Sequence, residues 1–154
     1  IWLYAAGPAI EAAFIDTKTT ANKRLDIVPY TVHNPCMTND LKTFPACFFK
    51  TETGREPVKE WLLDLEPEDR KIIGDDIRTA EFGWPIGMPL CRALKGYKGL
   101  WEIRSNLTKG RIARVFFCAH KGHMVLLHGI IKKTQKTPDK ELDVANRRMK
   151  GLDQ

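Results

Sequence analysis

The sequence of 154 residues lacks any apolar run long enough to cross a bilayer, for which about 20 consecutive apolar residues are needed. Its opening stretch, IWLYAAGPAIEAAFI, has no basic flank of the kind that precedes the apolar part of a secretory signal, and Gly7 and Pro8 interrupt it. We therefore expect a cytoplasmic protein with no membrane partner.

Cysteines are few, and none forms a CxxC pair. The four are widely spaced: Cys36, Cys47, Cys91 and Cys118. This spacing favours reduced thiols over a disulfide framework or a zinc ribbon. One group of zinc-type ligands lies closer together: Cys118, His120, His123 and His128. The first three of these fall where a hairpin turn is expected, so we expect no metal and no cofactor.

Acidic residues are almost absent from residues 91–137. This block carries 11 Lys and Arg residues and one acid, Glu102, whereas residues 1–90 carry 10 Lys and Arg against 14 acids. A surface that only keeps a protein soluble usually mixes both signs. A block of one sign attracts polyanions, and nucleic acid is the commonest of these.

From residue 44 onward the periodicity of the sequence is regular. FPACFFK predicts a strand, and apolar residues at helical spacing predict two helices, one in GREPVKEWLLDL with Pro57 in its first turn and one that begins at Pro67. Four β-rich runs follow, separated by the turn sequences GYKG, TKG and AHKG: CRALKG, LWEIRSNL, RIARVFFC and HMVLLHGIIKK. Thr137 and Pro138 are expected to cap a last helix, PDKELDVANRRMKGL.

The order β-α-α-β-β-β-β-α predicts the α+β class, with an antiparallel sheet that carries two helices on one face. Strand alternation places Glu102, Arg104 and Arg114 on the other face, which we expect to be open. Lys95 and Lys98 flank that face from the preceding turn. Lys132 and Lys133 enter it at the end of the last strand.

This convergence of cations with one carboxylate suits RNA cleavage by the neighbouring 2′-hydroxyl. That reaction concentrates negative charge on a five-coordinate phosphorus, which fixed cations stabilise without a metal. Arginine contacts two phosphate oxygens at once, and the pKa of a lysine falls readily among other cations. Crowded lysines therefore approach the range for proton transfer near neutral pH.

At these residues the chain resembles the phage-derived HigB-like toxins of the RelE/ParE superfamily. The resemblance is carried by LKGYKGLWEIR, GRIARVFF and MVLLHGIIKKTQKTP, and also by GREPVKEWL, EDRKIIGDDI and EFGWPIGMPLCR. It covers roughly residues 44–150 in unbroken order.

The resemblance implies a RelE-like microdomain, a curved antiparallel sheet backed by two helices. It implies a toxin that cleaves mRNA, in many relatives on the ribosome, and a helix-turn-helix antitoxin that also represses the operon. Relatives carry a lysine and two arginines at positions matched here by Lys95, Arg104 and Arg114.

Several relatives end the last strand with a tyrosine or histidine that assists the proton transfers, whereas this chain reads IIKKT. Either Lys132 or Lys133 takes that role, or His128 does, or charge stabilisation alone suffices. Glu102 is either a base or the partner that orients Arg104. Further contacts with RNA are expected from four cations: Arg92, Lys98, Arg111 and Lys136.

Two other functions remain open from the sequence, a ParE-like toxin that poisons gyrase and a nucleic-acid-binding module without catalysis. The basic cluster favours the ribonuclease, because a gyrase poison needs no site centred on a phosphate.

Residues 1–36 are expected to form an accessory extension, and residues 37–154 the toxin domain. The extension starts without a methionine, and the resemblance begins only after Met37. Its apolar residues need a docking site, for which the outer face of the two helices or a second copy of the chain in a homodimer is available.

Overall fold

A computed structural model describes residues 42–132 and 137–153 of the chain. In these residues the protein forms five strands and three α-helices, with two short 3₁₀ turns. The elements in chain order are β1 (Ala46–Phe48), α1 (Pro57–Leu63), α2 (Pro67–Gly83), β2 (Cys91–Ala93), β3 (Leu100–Asn106), β4 (Ile112–His120), β5 (His123–Lys132) and α3 (Asp139–Lys150).

The strands form one curved sheet in the order β1-β5-β4-β3-β2. Strands β2 to β5 are antiparallel neighbours, as predicted. Strand β1 differs, because it pairs parallel to β5 at the edge of the sheet. The sheet is therefore mixed, and the α+β class is confirmed.

Helices α1 and α2 begin where the sequence predicts. Pro57 and Pro67 stand at the first helical positions, where the missing N–H costs no hydrogen bond. Acidic residues in the first turn of α2, Glu68 and Asp69, suit the positive end of the helix dipole. The two helices bury apolar residues against the same face of the sheet: Val58, Leu62, Ile73, Ile77 and Ala80.

The turn between β4 and β5 has the geometry of a tight hairpin. Its two central residues, Lys121 and Gly122, have φ of 47° and 77°, as a type I′ turn requires. His120 and His123 pair directly across it. The histidines that looked like zinc ligands thus close a hairpin.

The two faces of the sheet bury separate clusters. The face under α1 and α2 includes Ile103, Ala113, Val115, Phe117 and Leu126. The opposite face includes Leu100, Phe116, Cys118, Val125 and Leu127, together with Leu142 and Ala145 of α3. The expectation that this second face is open is therefore wrong, because α3 packs on it.

The role expected for Thr137 also differs. Pro138 is the N-cap residue of α3, and no side chain caps this end of the helix. The hydroxyl of Thr137 accepts a hydrogen bond from Arg114 instead. The residue that the sequence suggested as a helix cap thus ties the start of α3 to the sheet.

Some expectations lie outside the described residues, namely the accessory extension 1–36, Lys133 and Lys136. Within residues 42–132 and 137–153, no helix is both long and apolar enough to span a membrane.

Candidate active site

The middle of the sheet brings three arginines around one carboxylate. Glu102 on β3 lies opposite Arg92 on β2, and Arg104 on β3 lies opposite Arg114 on β4. Because residues two apart on a strand share a face, the sequence placed Glu102, Arg104 and Arg114 together. That grouping is confirmed by the strand register.

Glu102 is fully buried, and its Oε1 atom faces two guanidinium groups. The Nε atom of Arg92 lies 2.7 Å from this oxygen, and the Nε atom of Arg104 lies 3.8 Å from it. The side chains of Arg92 and Arg104 remain 43% and 19% exposed. The carboxylate is therefore placed to orient both arginines from a buried position, while part of each arginine side chain remains exposed to solvent.

Arg114 lies deeper, with 1% of its surface exposed. Its Nη1 atom donates a hydrogen bond to the hydroxyl of Thr137. Burial lowers the pKa of Arg114, the charge of Glu102 raises it, and Arg104 and Arg92 lower it further. An arginine nevertheless stays protonated at neutral pH, because its ordinary pKa is far higher.

The cluster as a whole is positive, with three guanidinium groups and one carboxylate. Arginine presents donors in a planar fork that fits phosphate oxygens. Partial burial weakens screening by water, so an anion near Arg92 and Arg104 meets a strong field. The arrangement suits a phosphate, in its ground state or as it gains charge during a reaction.

The described lysines that were predicted to act with the arginines lie at opposite ends of strands β3 to β5. Lys95 and Lys98 are exposed in the turn between β2 and β3. Lys132 is half-buried at the end of β5, where it lies opposite Ile112. It is therefore two residues further along β5 than Ile130, the partner of Arg114, and lies on the same face.

His128 belongs to the contact between the sheet and α3. Its Nε2 atom lies 2.7 Å from Oε2 of Glu141, and its ring stacks on Phe116. The hydrogen bond with His128 lowers the pKa of Glu141. Nearby, Nη1 of Arg148 donates a hydrogen bond to the carbonyl oxygen of Leu127, at 2.6 Å. These contacts hold α3 against β5.

A family of known proteins matches the part of the chain that contains this site. The family model of the phage-derived Gp49-like proteins (DUF891) matches residues 60–150, which is more than half of the chain and includes every strand from β2 to β5. The chain belongs to this family. No curated protein matches it.

The Gp49-like family is a family of RelE/ParE-like toxins. Membership is consistent with the toxin of a toxin–antitoxin pair and suggests an antitoxin as partner. The matched range contains all three arginines, Glu102, Lys95 and His128.

In this Gp49-like chain, Arg111 is engaged in a contact that supports the fold. Its Nη1 and Nη2 atoms donate to the two carboxylate oxygens of Asp69, at 2.7 and 3.0 Å. Asp69 is buried in the first turn of α2. The guanidinium group of Arg111 thus joins the start of β4 to α2. The predicted contact of Arg111 with RNA stays a prediction.

Sequence reasoning missed three contributions to the site. Arg92 was predicted only as a contact for RNA, whereas it is the nearest partner of Glu102; β2 has three residues, too few for alternation to assign a face. Thr137 contacts Arg114, and Glu141 contacts His128, from a helix far along the chain. Local periodicity does not predict such contacts between distant residues. The one indication in the sequence is Glu141, an acid in the first turn of the last helix, where a cationic or histidine partner is favourable.

Residues suited to a metal ion do not cluster within the described ranges, 42–132 and 137–153. No group of three or more His, Cys, Asp or Glu side chains is placed to hold one there.

Proposed function

We propose that this protein is a HigB-like toxin, a cytoplasmic endoribonuclease that cleaves mRNA and is restrained by a helix-turn-helix antitoxin. The observation that carries the proposal is the cluster of Arg92, Arg104 and Arg114 around the buried Glu102. Membership in a family of RelE/ParE-like toxins supports it.

The cleavage proceeds by attack of a 2′-hydroxyl on the adjacent phosphorus. A bond forms between the 2′ oxygen and phosphorus, the bond to the 5′ oxygen breaks, and the products are a 2′,3′-cyclic phosphate and a 5′-hydroxyl. Arg92 and Arg104 bind the phosphate oxygens as their charge grows. Arg114 adds positive charge from beneath, where Thr137 holds it.

Glu102 acts in this scheme by orienting arginines. It is buried and 2.7 Å from Arg92, which leaves it behind the guanidinium groups as seen from solvent. A base must reach the hydroxyl from which it takes a proton, and a carboxylate in this position does not. The geometry therefore favours the orienting role over the role of base.

In this proposal, lysine side chains transfer the protons. Lys95 is exposed in the turn that follows β2, the strand of Arg92, and Lys132 lies on the face of Arg114. The Nε2 atom of His128, by contrast, is engaged with Glu141. Replacing Lys132 and Lys133 together should reduce cleavage of a purified message more than His128→Gln does. The opposite ranking would give the histidine the role of acid or base.

In this proposal Arg92 of the cluster and Lys98, exposed in the turn between β2 and β3, also help to bind the message, with Lys136 as a further contact. Each phosphate neutralised on binding releases counterions, so affinity for RNA should fall steeply with salt. Affinity that stays flat between low and high salt would show that the positive block meets something other than a polyanion.

A translation reaction programmed with one message tests the proposed function. The protein should deplete the intact message, and Arg104→Ala should leave it intact. Lys71→Ala is the matched control, since Lys71 is an exposed cation on α2 and lies outside the cluster. An intact message and unaffected translation, despite growth arrest in cells, would indicate a gyrase poison. An intact message with RNA binding alone would indicate a non-catalytic binder.

A further inference from the structure

Two consecutive β-turns connect β2 to β3, and they share one residue, Tyr97. The N–H of Tyr97 donates to the carbonyl oxygen of Leu94 at 3.3 Å, and the N–H of Leu100 donates to the carbonyl oxygen of Tyr97 at 3.1 Å. Gly96 and Gly99, the third residues of the two turns, have φ of 86° and 83°, as type II turns require. We call this connection, from Leu94 to Leu100, the double turn.

The two exposed lysines of this connection occupy equivalent places in the double turn. Lys95 is the second residue of the first turn, and Lys98 is the second residue of the second turn. The N–H of Leu94 donates to the carbonyl oxygen of Leu100 at 2.9 Å, which continues the pairing of β2 with β3 into the double turn. Because these two strands carry members of the arginine cluster, the place of both lysines beside that cluster depends on how the double turn is held.

Helix α3 holds the double turn at its shared residue. The hydroxyl of Tyr97 donates a hydrogen bond to Oδ1 of Asp143 at 3.0 Å, and the ring of Tyr97 packs against the apolar cluster that α3 buries on the sheet. Beside the second turn, a Cβ atom at Gly99 would lie 3.8 Å from Sδ of Met149. These contacts fasten the double turn to a helix that lies on the same face of the sheet as Glu102.

The hydroxyl of Tyr97 is poorly suited to transfer a proton itself. The hydrogen bond to Asp143 raises the pKa of Tyr97 above its ordinary value of 10.0, and partial desolvation and the charges of Asp143 and Asp139 raise it further. A general acid or base works best with a pKa near the working pH. The contact with Asp143 therefore suits a role in holding the double turn rather than a role in the reaction itself.

We propose that Tyr97 is a positioning residue, which acts with Asp143 to hold the double turn so that Lys95 reaches the reacting phosphate. The inference rests on the proposed cleavage of RNA, in which Lys95 transfers a proton. Such a transfer needs the two groups within hydrogen-bond distance, and small displacements of a reacting group reduce the rate strongly. A double turn released from α3 places Lys95 correctly for a smaller fraction of the time.

Substitution of the two partners tests the hydrogen bond. Tyr97→Phe keeps the ring and removes the hydroxyl, so kcat for RNA cleavage should fall about three- to tenfold, as expected for the loss of one hydrogen bond. Asp143→Ala should have the same effect, and the double variant should fall no further. Asp143→Asn keeps an acceptor oxygen and should retain most of the activity. The matched control is Asp75→Ala, since Asp75 is an exposed acid on α2 that pairs with Lys71, and its kcat should stay at the natural value.

The background of Lys95→Ala separates positioning from a general loss of structure. If Tyr97 acts through Lys95, adding Tyr97→Phe to Lys95→Ala should leave the residual rate unchanged, as measured in single turnovers with excess folded protein. A further fall in this background, or an unchanged kcat for Tyr97→Phe alone, would overturn this inference and leave the proposed function intact. A natural protein that does not cut RNA would overturn both.

Discussion

The two faces of the sheet are buried in different ways. Under α1 and α2 the sheet presents apolar side chains, and the ring of Trp61 packs closely on Gly129. Under α3 the apolar cluster adjoins buried charge, with Glu102 and Arg114 less than 2% exposed. The first face resembles an ordinary core, whereas the second combines a core with a charged centre.

This difference assigns separate tasks to the two faces. Apolar burial stabilises a fold without needing exact partners, but a buried charge is costly unless its partners are in place. Asp69 and Glu81, the buried carboxylates of α2, are each paired with one cation. Glu102, by contrast, lies among arginines that outnumber it. We infer that the charged centre serves function, and that the apolar face supplies the stability that supports it.

The largest effect on stability is expected at the charged face. Arg114→Ala should lower the free energy of unfolding by about 2–5 kcal/mol, because it removes a large and almost fully buried side chain and leaves the hydroxyl of Thr137 without its donor. Chemical denaturation measures this change. The sequence alone predicts an exposed Arg114 and therefore a much smaller effect of this substitution.

Arg114→Met separates packing from charge at the same position. Methionine keeps much of the volume, so the variant should recover a good part of the lost stability while RNA cleavage stays absent. If Arg114→Ala is as stable as the natural protein, the buried charge does not contribute to the fold as described.

A smaller loss is expected on the apolar face. A Cβ atom at Gly129 would lie 2.3 Å from two ring carbons of Trp61, so Gly129→Ala forces the ring to move. Overpacking of this kind costs about 1–3 kcal/mol. Gly87→Ala is the control, since a Cβ atom there meets nothing within 4 Å. Equal melting temperatures for the two variants would refute the close packing of Trp61 on the sheet.

The contact between α3 and β5 should contribute less, and only above acidic pH. His128 lowers the pKa of Glu141 below its ordinary value of 4.5. A carboxyl with a lowered pKa in the folded state stabilises above its ordinary pKa, and this contribution is lost as the pH falls through the lowered value. Glu141→Gln should therefore lower the free energy of unfolding by less than about 1 kcal/mol at pH 7. It should have no such effect at a pH where Glu141 of the natural protein is protonated in both the folded and the unfolded state.

Urea denaturation at a series of pH values follows this difference, with Glu52→Gln, at an exposed position, as the control. A gap between the natural protein and Glu141→Gln that widens on acidification would contradict the role given to the His128–Glu141 contact.

The smallest effect on stability should accompany a large effect on activity. Lys95 is exposed in a turn, so Lys95→Ala should change the free energy of unfolding by no more than about 0.5 kcal/mol. If Lys95 transfers a proton, cleavage of RNA should fall by about 100-fold or more. Full activity of Lys95→Ala would remove the lysine from the reaction and leave the arginines as the site.

The sequence predicted the fold well because its signals are local. Pro57 and Pro67 mark helix starts, and turn sequences separate alternating strands, so the order of the elements and the faces of Glu102 and Arg104 could be derived. The site could be derived only in part. Burial of Arg114 depends on α3, and the contacts of Thr137 and Glu141 join residues distant in the chain. The parallel pairing of β1 with β5 likewise joins residues far apart in the chain, so local patterns do not predict it.

The central claim is that the arginine cluster promotes attack by a 2′-hydroxyl on mRNA. The most direct test is a translation reaction programmed with a message that is cut at a known position by the natural protein, compared with the same message carrying a 2′-deoxy nucleotide there. We expect cleavage at that position to disappear for the 2′-deoxy message, and Arg104→Ala to cut neither one. Cleavage of the 2′-deoxy message at an undiminished rate, or no cleavage of either message by the natural protein, would contradict the claim.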